Sequence, residues 1–350
     1  MRLSSTAVTA FIAAIATTTT LPGTARAQTS SSTPSTKRGL VFVPDADGRW
    51  PEDAQIWVQP GSDLTWYYNY QWEPSAAFSG SSQEDFEFVP MLWGPPDSSS
   101  TTTNSDSDDG ADAPFRQAIE SQIDAGRDIK HVLAFNEPDG PAQYGGSSMD
   151  PAAAAGIWVA NVEPLAQRGV KLGLPACTGG EGGLPWLQQF LANCSELVSS
   201  GDEKKNCTYD FVNIHWYGNF EGLASHLGSY SAAFPNVTQW VTEYGFADQD
   251  LATTQAFFNE SAEYLDRLDS IGRYSYFGAF RAAVSNVGPD AAMLSNDGRL
   301  TDVGAWYLGD AAAAAGVDPE SGAGSWRGEV DVGVLAVSSA VLAGAAVLLW

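Results

Sequence analysis

Basic residues are scarce in this chain. Its 350 residues carry 17 Lys and Arg against 42 Asp and Glu, a formal net charge of −25. With no basic patch to neutralise phosphates, nucleic acid is not an expected partner. Cysteine is scarcer still: three residues cannot form a disulfide-rich scaffold and lack the paired spacing of a zinc site. Histidine also numbers three. No metal-ligand spacing is left, so neither a metal nor another cofactor is expected. The chain has no G-x-G-x-x-G and no P-loop lysine. Gly179-Gly180-Glu181-Gly182-Gly183 is glycine-rich but reads as a loop over a cleft. That weighs against a doubly wound dinucleotide fold.

Uncharged runs gather at the two ends. Residues 1–27 read as a secretory signal: Arg2, an apolar stretch from Phe11 to Ala16, and Ala25-Arg26-Ala27 as an A-x-A cleavage site. Residues 28–38 form a Ser/Thr/Pro-rich linker with too little apolar surface to fold. Residues 332–350 are 19 residues without a charge, the length of a membrane-spanning helix. They lack a basic flank, and Ser321-Gly322-Ala323 with a mostly polar spacer, 324–331, precedes them. Small triplet, spacer and apolar tail make the signal for a glycosylphosphatidylinositol (GPI) anchor near Ser321, within a 316–331 linker; a tail-anchored helix is the alternative. Asn-x-Ser/Thr sequons at Asn193, Asn206, Asn236 and Asn259 agree with a secreted glycoprotein. The expected address is extracellular, at the cell surface or wall, touching membrane only through the lipid anchor. A monomer is expected. Cys194 and Cys207 flank a polar loop and are the expected disulfide, whereas Cys177 ends an apolar run and is expected to be a buried thiol.

Between the ends, residues 39–315 form one folded unit. β-branched, aliphatic and aromatic runs recur at 39–43, 64–70, 86–93, 132–135, 170–176, 209–218, 239–246 and 273–280. Helical spacing intervenes at 114–125, 151–168, 184–194, 223–234, 253–271 and about 303–314. Residues 97–112 are low-complexity Ser/Thr/Asp and read as a surface insertion. Strand runs alternating with helices in this number and size predict an α/β (β/α)8 TIM barrel.

The fourth run ends in Asn136-Glu137, and Pro138 stops the ladder. The seventh ends in Glu243. A carboxylate at the end of a buried strand is costly without a task, and barrels keep their chemistry at the strands' carboxyl ends. Two such glutamates are the apparatus for cleaving a glycosidic bond, one as acid/base and one as nucleophile. A separation near ~5 Å gives retention of configuration and a wider one inversion; the sequence leaves both open. Asn136 is placed to hold a sugar 2-hydroxyl. His215 and Tyr217 share a strand face: Tyr217 would hydrogen-bond the nucleophile, and His215 would bind a hydroxyl or position a carboxylate, a core histidine being the plain alternative. Trp93, Tyr68, Trp216 and Tyr276 are candidates for stacking on sugar faces, with core packing as the alternative for each. Asn69, at the polar end of the second run, completes the substrate-binding candidates. Asp139 and Glu181 read as cleft-rim residues.

On Val89-Pro90-Met91-Leu92-Trp93-Gly94, Phe135-Asn136-Glu137-Pro138-Asp139, His215-Trp216-Tyr217-Gly218 and Thr242-Glu243-Tyr244-Gly245, the chain resembles glycoside hydrolase family 128, in clan A. The resemblance runs from about residue 39 to residue 308. It implies retaining endo-β-1,3-glucanase activity on β-1,3-glucan polysaccharide or oligosaccharide, with Glu137 as acid/base and Glu243 as nucleophile. One departure stands out: Tyr274-Ser275-Tyr276-Phe277 replaces a Tyr-Ala-Trp-Phe pattern, so Tyr276 stands where a subsite tryptophan is usual. A wall-bound glucan-binding protein without turnover, and a glucan transglycosylase, are the alternative functions.

Overall fold

Pro90 has no amide hydrogen for a sheet ladder, and the third strand breaks there into two short pieces. The computed structural model describes residues 35–45, 47–96 and 113–309. The leader, residues 28–34 of the linker, the low-complexity insertion, residues 310–315, Ser321 and the apolar tail lie outside the described residues. The strands are β1 (Gly39–Val41), β2 (Trp66–Tyr68), β3 (Glu87–Phe88), β4 (Met91–Leu92), β5 (His131–Ala134), β6 (Lys171–Cys177), β7 (Phe211–Tyr217), β8 (Thr238–Gly245) and β9 (Ile271–Tyr276). All pair in parallel and in chain order, β1 to β3 and β4 to β9. Val89 donates to the Tyr67 carbonyl and Leu133 to that of Pro90, both at 2.9 Å, so pairing continues on either side of the break. A parallel bridge from Arg38 to Tyr274 sets the first strand against the last. With β3 and β4 taken as one strand, the architecture is an eight-stranded (β/α)8 barrel.

The helices are α1 (Pro114–Asp124), α2 (Pro151–Asn161), α3 (Gly183–Val198), α4 (Phe220–Ala233), α5 (Leu251–Arg267) and α6 (Asp302–Leu308). Their starts are written locally. Asp150 accepts from the amides of Ala152 and Ala153 ahead of Pro151, Asp250 from Thr253, and Thr301 from Gly304. The spacing over 151–168 suggested one helix, but Pro164 cannot continue an α ladder. α2 therefore ends at Asn161, and a 3-10 turn, Glu163–Arg168, carries the chain to Gly169. Similarly, α5 stops at Arg267 and Ile271 already opens β9. Among the described residues no helix is long and apolar enough to cross a membrane. Cys194 in α3 is bonded to Cys207, with Cα atoms 5.5 Å apart, and Cys177 is a free buried thiol.

Strand alternation sorts the side chains into two layers. Leu40, Tyr67, Val132, Leu172, Val212, Val241 and Tyr274 point outward and pack under the helices. Val41, Trp66, Tyr68, Met91, Leu133, Phe211 and Trp240 fill the barrel. Below them sits a polar floor. Glu87 binds His131 Nδ1 at 2.7 Å and the Arg273 guanidinium, which lies 4.5 Å from the ring centroid of Trp240. The floor closes one end of the barrel and leaves the other for chemistry.

Candidate active site

Simple alternation along β8 would point Thr242 inward with Trp240 and turn Glu243 toward the helices. It does not, because the register slips: Ile214 pairs with Val241, but His215 pairs with Glu243. Thr242 is thus the extra residue of a β-bulge, a device that re-aims the next side chain. Glu243 turns into the barrel mouth and is 5% exposed. There it accepts hydrogen bonds from phenols: Tyr70 donates to Oε1 at 2.7 Å, Tyr217 to Oε2 at 2.7 Å, and Tyr68 to Oε1 at 3.3 Å. Tyr68 also reaches the Thr242 carbonyl at the bulge, at 3.0 Å. Burial, and then the charge of Glu243, push all three phenols well above the ordinary tyrosine range, so they stay protonated and act as donors.

β5 ends by a second backbone device. Phe135 (φ 49°) and Glu137 (φ 41°) both adopt the left-handed region that bulky residues avoid. Phe135, which alternation would place inside with Leu133, instead packs edge-on against Phe190 of α3. The chain then folds into a tight loop whose ends meet, Ser147 donating to the Asn136 carbonyl at 2.8 Å. Gly146 is needed there: an added Cβ would stand 2.4 Å from the Gly140 carbonyl oxygen and 2.7 Å from that of Glu137. Asp139 ties the loop to β6 by accepting from the Thr178 amide (2.8 Å) and hydroxyl (2.6 Å).

His215 lies between the two glutamates. It is fully buried, with Nδ1 3.2 Å from Glu137 Oε1 and Nε2 3.5 Å from Glu243 Oε1. Burial works against its charge, but Glu243 and the bond to Glu137 outweigh it and raise the imidazole above its ordinary value. One oxygen of each glutamate and a His215 nitrogen lie within 4.8 Å of one another. The same set could be weighed as ion ligands. However, each oxygen of Glu243 already accepts from a phenol, and the two carboxylates favour the protonated imidazole, which would offer no lone pair, so the set suits a proton network better than a metal. Glu163, Cys194 and Cys207 also cluster, but their sulfurs are bonded to each other.

The remaining candidates separate. Asn136 uses Nδ2 to hold the Gly145 carbonyl at 3.0 Å, while its buried Oδ1 has no protein partner. Trp93 is 36% exposed and lines a recess with Tyr70 and Trp72. Tyr68 is fully buried; its role is the bond to Glu243, and it cannot stack on a sugar. Trp216 is half-buried, packed near His226, with Nε1 bonded to the Asn219 carbonyl. Asn69 is occupied in its own loop, accepting from the Gln71 amide and donating to the Glu73 carbonyl. Tyr276 needs correcting outright. It is 0% exposed, faces the helices with Tyr274, and packs against Phe258 and Tyr244. Period two along β9 gives the mouth to Phe277 instead, so a tryptophan-to-tyrosine change at 276 alters core packing and no subsite. Tyr70 is the residue the sequence reading missed. The signal was its place two residues after Tyr68, on the same face of an extended run.

Two carboxylic acids meeting across the mouth of an eight-stranded barrel define a glycoside hydrolase catalytic core. The profile of the glycosyl hydrolase catalytic core family matches residues 39–307. The chain belongs to that family and, within it, to glycoside hydrolase family 128. Alkali-sensitive linkage protein 1 of Schizosaccharomyces pombe is 28% identical over 286 residues, 79% of this chain; the chain spans 45% of that relative's length. Among solved structures, a curdlan-specific exo-β-1,3-glucanase of Blastomyces gilchristii (family 128, subgroup III) is 27% identical with a TM-score of 0.57. It covers 79% of this chain and 100% of its own. A subgroup II endo-β-1,3-glucanase of Pseudomonas viridiflava is 25% identical with a TM-score of 0.59, over 79% of this chain and 98% of its own.

Proposed function

We propose that this protein is a retaining endo-β-1,3-glucanase of the cell surface. The observation that carries the reading is the approach of Glu137 to Glu243 with His215 between them, all within 4.8 Å. Retaining chemistry needs carboxyl groups about 5–5.5 Å apart, whereas inversion leaves room for a water between them. Glu243, ionised among its phenols, attacks the anomeric carbon and forms a glycosyl ester. Glu137 gives its proton to the departing glycosidic oxygen. It then takes a proton from water, which attacks the same carbon and frees Glu243. Asn136 Oδ1, buried without a protein partner, is suited to accept from the sugar 2-hydroxyl. The substrate class draws on the activities of the Blastomyces and Pseudomonas relatives.

The test is incubation of residues 28–320 with laminari-oligosaccharides, products being resolved by size and anomer. Shorter β-anomeric products are expected, with Glu137→Gln and Glu243→Gln each silent. Binding without products would mean a glucan-binding protein, and products longer than the substrate would mean a transglycosylase. Full activity in both glutamine variants would sink the two-glutamate mechanism.

The secreted, GPI-anchored address rests on the sequence of the two ends. Surface expression of the full chain should be released by a phosphatidylinositol-specific phospholipase. Retention on the membrane after treatment would favour the tail-anchored alternative.

A further inference from the structure

Two of the sequons carry a cysteine at their middle position, Asn193-Cys194-Ser195 and Asn206-Cys207-Thr208. Those two cysteines are the pair bonded to each other. The same two triplets are thus claimed by two covalent modifications, and the folded geometry sets one against the other.

Asn193 is half-buried within α3. A sequon needs its hydroxyl residue because that side chain assists the asparagine amide two positions earlier. Residues two apart on a helix do not face each other, so the helical triplet is no acceptor. Its hydroxyl is also taken: Ser195 Oγ accepts from the Cys207 amide at 3.1 Å, beside the disulfide. Asn206 is exposed on irregular backbone, the surface loop that an acceptor calls for. Its neighbours are nevertheless pinned. Cys207 is buried and held to α3 through sulfur and amide, and the Thr208 amide donates to both oxygens of Glu163, at 3.1 and 3.0 Å. Ser199 Oγ accepts from the Lys205 amide at 2.9 Å and donates to the Ser195 carbonyl at 2.7 Å, which draws the loop back onto the helix end. Closing the bridge therefore fixes both triplets. Asn236 and Asn259 are exposed and have no cysteine within their sequons.

We propose that the Cys194–Cys207 bond and N-glycosylation compete for these triplets, so that occupancy of Asn193 and Asn206 is set by when the bridge closes. The proposal rests on the secreted reading of the leader. In one route the two thiols give two electrons and two protons to a disulfide oxidant of the secretory lumen, by thiol–disulfide exchange. In the other, the asparagine Nδ2 bonds to the anomeric carbon of a lipid-pyrophosphate-linked oligosaccharide. The bond from that carbon to the pyrophosphate breaks, the lipid pyrophosphate leaves with the electron pair, and the amide loses one proton. Cys207 follows Cys194 by 13 positions. At ~5–20 residues per second it is made about 1–3 s later, and bridge formation takes seconds or longer. The two routes thus run on similar timescales.

The test is the full chain, expressed with its own leader in a eukaryotic secretory host. Occupancy is read on total protein by mass spectrometry, after an amidase has converted each glycosylated asparagine to aspartate. Cys207→Ser opens the bridge and leaves the Asn193 sequon unaltered; Cys194→Ser does the same for the Asn206 sequon. Occupancy at Asn193 in the first variant and at Asn206 in the second is expected to rise about twofold or more, as removing one of two comparable routes would give. Asn236 and Asn259 should hold steady. Reductant supplied to cells making the native protein should raise the same two sites. Unchanged occupancy at Asn193 and Asn206 overturns the proposal, and so does full occupancy of both in a native chain whose bridge is closed. An equal rise at all four sites would mean slower folding in general and would overturn it too. If the native chain keeps its leader and carries no glycan, the secreted reading itself fails and the competition falls with it.

Discussion

The hydroxyl of Tyr70 meets Oε1 of Glu243 at 2.7 Å from a backbone held at φ 60°. A left-handed tyrosine is uncommon, and here it turns the phenol of a loop residue back over the strand that precedes it. Tyr70→Phe keeps the ring and removes one donor to a charged acceptor, an interaction worth about 1.5–3 kcal/mol. The expected result is a fall in kcat/KM of about tenfold to a hundredfold, read from initial rates on laminari-oligosaccharides. An unchanged rate would show that Glu243 does not need the bond.

His215 should leave a mark on stability against pH. Its folded value is raised above its ordinary one. The stabilisation is therefore full below about pH 6.5, the unfolded value, and is lost as pH rises through the folded value. Thermal midpoints of the native protein and His215→Gln should differ more at about pH 6 than at about pH 9. A gap that ignores pH would mean that the imidazole is not charged between the glutamates.

The bond from Cys194 to Cys207 spans 13 positions. Closing a loop near that length stabilises by about 3 kcal/mol through the unfolded chain. Replacing both cysteines with serine should lower the denaturant midpoint by a corresponding amount, and reductant should do the same to the native protein alone. A native midpoint indifferent to reductant would count against a structural role.

The barrel floor offers a separate test. Burial opposes the charge of Glu87, but its bonds to His131 and Arg273 prevail and hold the carboxyl below its ordinary value. That stabilisation is present above the unfolded value, near 4.5, and is lost as pH falls through the folded one. Glu87→Gln should cost about 3 kcal/mol at neutral pH, as breaking a buried pair does. The gap should close in acid, which chemical denaturation across the pH range would reveal.

The barrel was legible because its strands are apolar runs buried on both faces, each ended by polar or glycine punctuation. Glu137 and Glu243 stood out for the same reason, as charges at the ends of such runs. Face assignment was harder. A period-two reading cannot foresee that Thr242 is a bulge or that Phe135 turns left-handed, and both events decide what points into the mouth. Tyr276 was misplaced by motif analogy, although its alternation with Phe277 already assigned it to the outer layer. Asn69 and Trp216 spend polar groups on backbone partners only a few residues away, and composition does not show that.

The phenols around Glu243 have one more consequence. Among the described residues, neither glutamate has a lysine or arginine within ion-pair distance. The carboxylate of Glu243 is met from inside, by phenol dipoles and a buried imidazole that mobile ions cannot reach. Added salt screens exposed charges across a Debye length of about 10 Å at 0.1 M but leaves buried contacts largely untouched. A chain carrying −25 would ordinarily be sensitive to ionic strength, yet an uncharged polysaccharide is neither drawn in nor repelled by that field. Turnover should therefore stay level from dilute buffer to strong brine.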